Sequence, residues 1–251
     1  MSKLGKISMV ALIVVCAMLA AGTPSQALMV DLTTLGASGS IGNAFFTQVN
    51  HQVAGTGVRD TFVRIEKSDW ERGLNTDGSY SMDEVAGSTH SIRVSDFGRV
   101  DRGGVESIRF LLNVNQMDTN PLVSLDKMKI FVAPSGDYHS IAELNDYGTL
   151  IYEIGQSNRV KLNSALETED AVGDMFAYLP SNLFAGHEDE FLYLYSGFGY
   201  SGGTLSTNSR WEEWANVDPQ VLTPVPEPAS LLLLGGGLIS SVLFLRRRRS
   251  A

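Results

Sequence analysis

The sequence predicts an all-β domain, a single β-sandwich or jelly-roll-like ectodomain, set between an apolar N-terminus and an apolar C-terminus. Three observations carry this. Apolar residues recur at every second position in several short stretches, as in Ile108, Phe110, Leu112 and Val114. Turn-forming residues separate those stretches. One run, Phe191 to Tyr195 (FLYLY), is apolar throughout and reads as a central strand buried on both faces.

Taken in order, the chain opens with the features of a secretory signal peptide over residues 1–27. Lys3 and Lys6 form a basic start, residues 7–21 an apolar core, and Ser25-Gln26-Ala27 places small residues where signal peptidase reads them. Cys16 lies inside that apolar core behind Val15 and does not fit a lipoprotein signal. Residues 28–218 form the expected ectodomain. Beyond the stretches already given, Met128, Ile130 and Val132 alternate with Lys127 and Lys129, and Leu150, Tyr152 and Ile154 alternate in LIYEI. Phe62 to Ile65, Ser91 to Val94 and Met175 to Tyr178 are further short strands, and Ser140 to Leu144 allows one helical turn. The expected turns are residues 75–78 (NTDG), 102–104 (RGG), 134–137 (PSGD) and 202–203 (GG). Residues 36–42 and 197–209 read as small-residue loops. No repeat of fixed period appears, which excludes a solenoid or propeller.

The chain closes on three short segments. Residues 219–228 are a Pro-rich linker containing Pro226-Glu227-Pro228, where fixed φ angles and missing N–H groups stop any helix. Residues 229–245 carry no charge and as a transmembrane helix would measure about 25 Å, the short end of what spans a bilayer. Residues 246–251 include Arg246, Arg247, Arg248 and Arg249, a cluster that stays on the cytoplasmic side.

That order of Pro-Glu-Pro, short glycine-bearing span, arginine cluster and chain end resembles the PEP-CTERM sorting signal. The resemblance covers about a tenth of the chain. It implies an exported bacterial protein, held transiently in the inner membrane by its C-terminal helix, processed by an exosortase after signal peptidase, and delivered to the cell surface or extracellular matrix. The chain is then a substrate and not itself an enzyme, and its ectodomain has a structural or adhesive role among exopolysaccharide. A second, weaker pattern, including Phe62 to Ile65, Phe110 to Gln116 and Trp211 to Ala215, is similar to ectodomains of some exosortase substrates and implies one domain.

Composition narrows the chemistry. Without the basic residues of the two termini, 13 basic residues remain, and without Glu227, 27 acidic ones, a net charge of −14. That sum argues against nucleic acid or an anionic lipid surface as partner. The ectodomain has no cysteine, so it lacks disulfides, thiolate metal sites and a cysteine nucleophile. Gly199-Tyr200-Ser201-Gly202-Gly203 matches G-x-S-x-G, but no histidine follows His187 and no helix opens after it, so a glycine-rich loop is expected. His51, His90, His139 and His187 show no metal-ligand spacing. No metal site is expected, with calcium at Asn75, Asp77, Asn113, Asn115, Asp118 or Asp137 as the alternative, since the same residues favour turns without an ion. Trp211 and Trp214, with Trp70, Tyr80, Tyr138 and Tyr200 as further aromatics, are the candidate carbohydrate-binding residues. The alternative functions are therefore a carbohydrate (exopolysaccharide)-binding module and, after it, a secreted hydrolase.

Overall fold

A computed structural model describes residues 27–49, 59–166 and 173–217. The signal sequence through residue 26, the linker, Pro226-Glu227-Pro228, the apolar span, Arg246 to Arg249 and His51 lie outside the described residues. Among the described residues no helix is long and apolar enough to cross a membrane.

The chain is mostly β, in two seven-stranded sheets. The strands are β1 (Met29–Asp31), β2 (Ser38–Ile41), β3 (Ala44–Gln48), β4 (Arg59–Asp69), β5 (Glu71–Leu74), β6 (Ile92–Arg93) and β7 (Arg99–Arg102), followed by β8 (Val105–Val114) and β9 (Leu122–Ala133). After the helix α1 (Ile141–Tyr147) come β10 (Thr149–Glu153), β11 (Arg159–Asn163), β12 (Met175–Pro180), β13 (Phe191–Phe198) and β14 (Thr207–Val217). The first sheet runs β1-β11-β9-β13-β5, with β10 beside β9 and β6 beside β13. The second runs β2-β3-β12-β8-β14-β4, with β7 beside β8. All pairs are antiparallel except β1 with β11.

The alternations read from the sequence set the two inner faces. Ile108, Phe110, Leu112 and Val114 of β8 meet Met128, Ile130 and Val132 of β9 in one hydrophobic cluster drawn from both sheets. Period-2 geometry then turns Lys127 and Lys129 to the opposite face of the first sheet. The LIYEI alternation breaks at a register shift between Leu150 and Tyr152. Tyr152 and Ile154 enter the core, whereas Leu150 stays outside it and exposed.

Local chemistry explains the connections. Gly103 and Gly104, both at positive φ (63° and 88°), join the paired residues Arg102 and Val105 as a two-residue hairpin turn of the primed kind. The expected helical turn becomes the seven-residue α1 because Ser140 and Glu143 form a capping box, the Ser140 hydroxyl accepting from the Glu143 N–H at 3.2 Å. Asn75 extends the pairing of β5 with β13. Its Nδ2 donates to the Leu192 carbonyl at 2.8 Å, and its Oδ1 accepts from the Leu194 N–H at 2.7 Å. Asn75 is fully buried, so Asn75→Ala leaves two backbone groups without partners. A loss of about 2–4 kcal/mol is expected, read as a lower urea midpoint at unchanged slope.

Candidate functional site

The two tryptophans singled out by the sequence do not form a surface together. Residues three apart on a strand point to opposite faces, and Trp211 and Trp214 both lie on β14. Trp214 is completely buried between the sheets, where its Nε1–H donates to Ser196 Oγ of β13 at 3.1 Å. It is a core residue and cannot stack on a sugar. Trp211 faces outward, but the Arg64 guanidinium lies 4.5 Å from its ring centroid and is itself held by Glu213 at 2.7 Å. The expectation of a paired Trp211–Trp214 binding surface is corrected accordingly.

The other expectations also find definite places. Ser201 of the G-x-S-x-G stretch donates to Asp126 Oδ1 at 2.6 Å and accepts from Arg159 Nη1 at 2.6 Å. Ser124 donates to the other oxygen of Asp126 at 2.6 Å. This network fastens the loop to the first sheet, and none of the Ser201 partners is a histidine. Of the calcium candidates, Asn75 is committed to β13 as described. Asp77 accepts from the Ser91 N–H (2.9 Å) and hydroxyl (2.6 Å), which hold its carboxyl below the usual carboxylate range. Asn115 accepts from Arg210 at 3.0 Å. Among the described residues no three His, Cys, Asp or Glu side chains are grouped as a metal ion would require.

What the fold does bring together lies on the outer face of the first sheet. Arg72 of β5, Gly197 of β13 and Lys127 of β9 sit in register as one row across three neighbouring strands. Two strand spacings put the outer backbones about 10 Å apart. Trp70, at the tip between β4 and β5, and Tyr200, just beyond β13, pack together against this row. Their ring centroids are 5.1 Å apart, and the residues are 40% and 41% exposed. The ammonium of Lys67 lies 4.2 Å and the guanidinium of Arg72 5.7 Å from the Trp70 ring, and Lys127 Nζ lies 6.0 Å from that of Tyr200.

The backbone builds this pair for reasons local to the sequence. Asp69 adopts a left-handed conformation (φ 72°), which makes the tight reversal that projects Trp70. Gly199, also left-handed, lets the second loop press against it. A Cβ there would meet the Asp69 carbonyl at 2.5 Å and the Trp70 Cα at 3.2 Å. Gly197 leaves room for the Tyr200 ring, which a Cβ would meet at 3.0 Å. Behind the tip, Glu71 is fully buried and accepts from the Lys67 N–H at 2.7 Å. Its other oxygen has no hydrogen-bond partner, and burial pushes the carboxyl up to about 8. Tyr200 is pushed up to about 12, chiefly by burial, so its hydroxyl stays neutral.

Charge collects here against the trend of the chain. All four lysines of the ectodomain, Lys67, Lys127, Lys129 and Lys161, lie on this face or at its Trp70 edge, together with Arg72 and Arg159. Lys67 pairs with Asp83 (3.2 Å), Lys129 with Glu153 (3.0 Å) and Lys161 with Asp31 (3.8 Å). Among the described residues, the side chains of Arg72, Lys127 and Arg159 have no carboxylate partner; Arg159 donates to Ser201, and the Arg72 backbone N–H donates to Asp83 at 3.0 Å. Trp70 and Tyr200 are both among the aromatics the sequence offers for a carbohydrate surface, but their pairing is not legible there, because the reversal at Asp69 has no Gly or Pro to announce it.

Comparison with known proteins bears on the far end of the chain. Residues 224–249 match the family model described as the PEP-CTERM protein-sorting motif, so the chain carries this motif, the recognition signal of exosortase processing. No curated protein and no solved structure matches the chain.

Proposed function

We propose that this is an exported surface or extracellular-matrix protein, cut and delivered by an exosortase, whose ectodomain is a non-enzymatic, adhesive β-sandwich that holds polysaccharide. The C-terminal motif carries the first half of this reading, because it supports export and sorting to the cell surface. The apolar span acts in that scheme as a transient stop in the inner membrane, its arginines retained on the cytoplasmic side. The adhesive half is supported by the exposed Trp70–Tyr200 pair at the edge of the first sheet's outer face. The Ser201 network supports a binding role over hydrolysis, since the hydroxyl is tied to Asp126 and Arg159 and has no imidazole partner among the described residues.

Replacing Pro226-Glu227-Pro228 by alanines, or deleting Arg246 to Arg249, tests the sorting. The precursor is expected to persist at its unprocessed mass in the membrane fraction and to disappear from the cell surface. Unchanged processing and surface delivery would leave an ordinary single-span anchor as the reading.

A further inference from the structure

The geometry points to an acidic polysaccharide as the ligand of the Trp70–Tyr200 face, its carboxylates lying along the row from Arg72 to Lys127. This rests on the adhesive reading above and adds the chemistry of the glycan and the residues that select it. Four observations lead to it. Among the described residues the side chains of Arg72, Lys127 and Arg159 have no carboxylate partner; Arg159 is taken up by Ser201, and Arg72 and Lys127 stand about 10 Å apart, the length of a disaccharide, on strands held rigid by their shared neighbour β13. The residue between them is Gly197, so nothing rises from the sheet there except the Tyr200 ring laid over it. Arg72 presents a planar fork matched to a carboxylate. The Trp70–Tyr200 pair stays about 40% exposed although Lys67 lies against the Trp70 ring, and that remaining apolar surface is where a sugar face packs.

Charge complementarity decides between neutral and acidic glycans. An ectodomain of net charge −14 repels a polyanion at long range, yet every lysine it has is gathered at this one face. At physiological salt, charges more than about 8 Å away are largely screened, so the distant acids count for little, and the acids within reach, Asp31, Asp83 and Glu153, are already paired with lysines. A neutral glycan would need only the rings, and would leave Arg72 and Lys127 with no partner beyond those rings.

The test uses the mature protein recovered from its producing cells, with immobilised polygalacturonate, a neutral glucan and duplex DNA as the three probes. Binding to polygalacturonate that weakens as salt rises is expected, with little binding to the glucan or DNA. Arg72→Ala with Lys127→Ala is expected to weaken binding about 5- to 10-fold, and Trp70→Ala about fivefold. Unchanged circular dichroism and melting temperature would show that each variant is folded. Arg72→Lys with Lys127→Arg keeps the charge but not the fork at position 72, and is expected to bind more tightly than the double alanine variant and less tightly than the parent. Equal or tighter binding to the neutral glucan would overturn the acidic-ligand inference while leaving the adhesive reading in place. DNA bound as well as polygalacturonate would overturn the assignment to polysaccharide. Failure to bind either glycan would overturn both the inference and the glycan part of the adhesive reading.

Discussion

Glu71→Gln is expected to leave stability unchanged near pH 4.5 and to raise it progressively up to pH 8. Glu71 is completely buried behind the Trp70 tip, and burial pushes its carboxyl from 4.5 up to about 8. Between those two values the folded protein keeps a proton that the unfolded chain has released. Stability therefore falls as pH rises through the window, by about 1.4 kcal/mol per pH unit and about 5 kcal/mol in all. Glutamine cannot ionise, and its amide oxygen can still accept from the Lys67 N–H. Urea midpoints of both proteins at pH 4.5, 6, 7 and 8.5 isolate the effect, because every other titrating group is common to the pair. Two parallel profiles would mean that Glu71 titrates normally and that the tip opens to water.

The second large effect concerns Trp214. Trp214→Ala is expected to cost about 3–5 kcal/mol, enough to unfold much of the protein at growth temperature. The indole spans the space between the sheets, and its removal leaves a cavity bounded by both inner faces and the Ser196 hydroxyl without its donor. The discriminating measurement is binding per folded molecule. Trp214→Phe, which keeps most of the volume, is expected to restore folding in large part and to bind glycan as the parent does. Loss of binding in a folded Trp214→Phe protein would place the residue back among the ligand contacts.

Much of the architecture was legible because period-2 alternation has a single structural meaning when one face is buried. Ile108 to Val114 and Met128 to Val132 became the facing halves of the core, and Phe191 to Tyr195 became an interior strand between β9 and its neighbours β5 and β6. β1, β2, β3, β5, β7, β11 and β14 are not legible in the sequence, and two of them show a physical reason. β5 contains Glu71 and Gly73, one raised in pKa by burial and the other pressed against Ile65, so its inner face lacks apolar side chains. β14 begins inside the small-residue stretch expected to be a loop, and its inner face carries the buried Glu212, held by Gln116. Had Trp211 to Ala215 been recognised as a strand, the odd spacing of Trp211 and Trp214 would have put them on opposite faces at once. The cationic row was beyond reach, because Arg72, Lys127 and Gly197 are far apart in sequence and meet only through register.

β14 has a mechanical consequence. Its first residue, Thr207, is paired with Asp69 at the foot of the Trp70 tip, and its last, Val217, leads towards the C-terminal motif. A chain tethered through its C-terminus and loaded at the aromatic face would carry the tension along this strand, over about 35 Å. β14 is flanked by β8 and β4, and its interstrand hydrogen bonds lie across the line of pull. They are loaded in shear, all together, and not peeled open one by one. The same strand that fills the core with Trp214 would then carry the load from such a tether to that face.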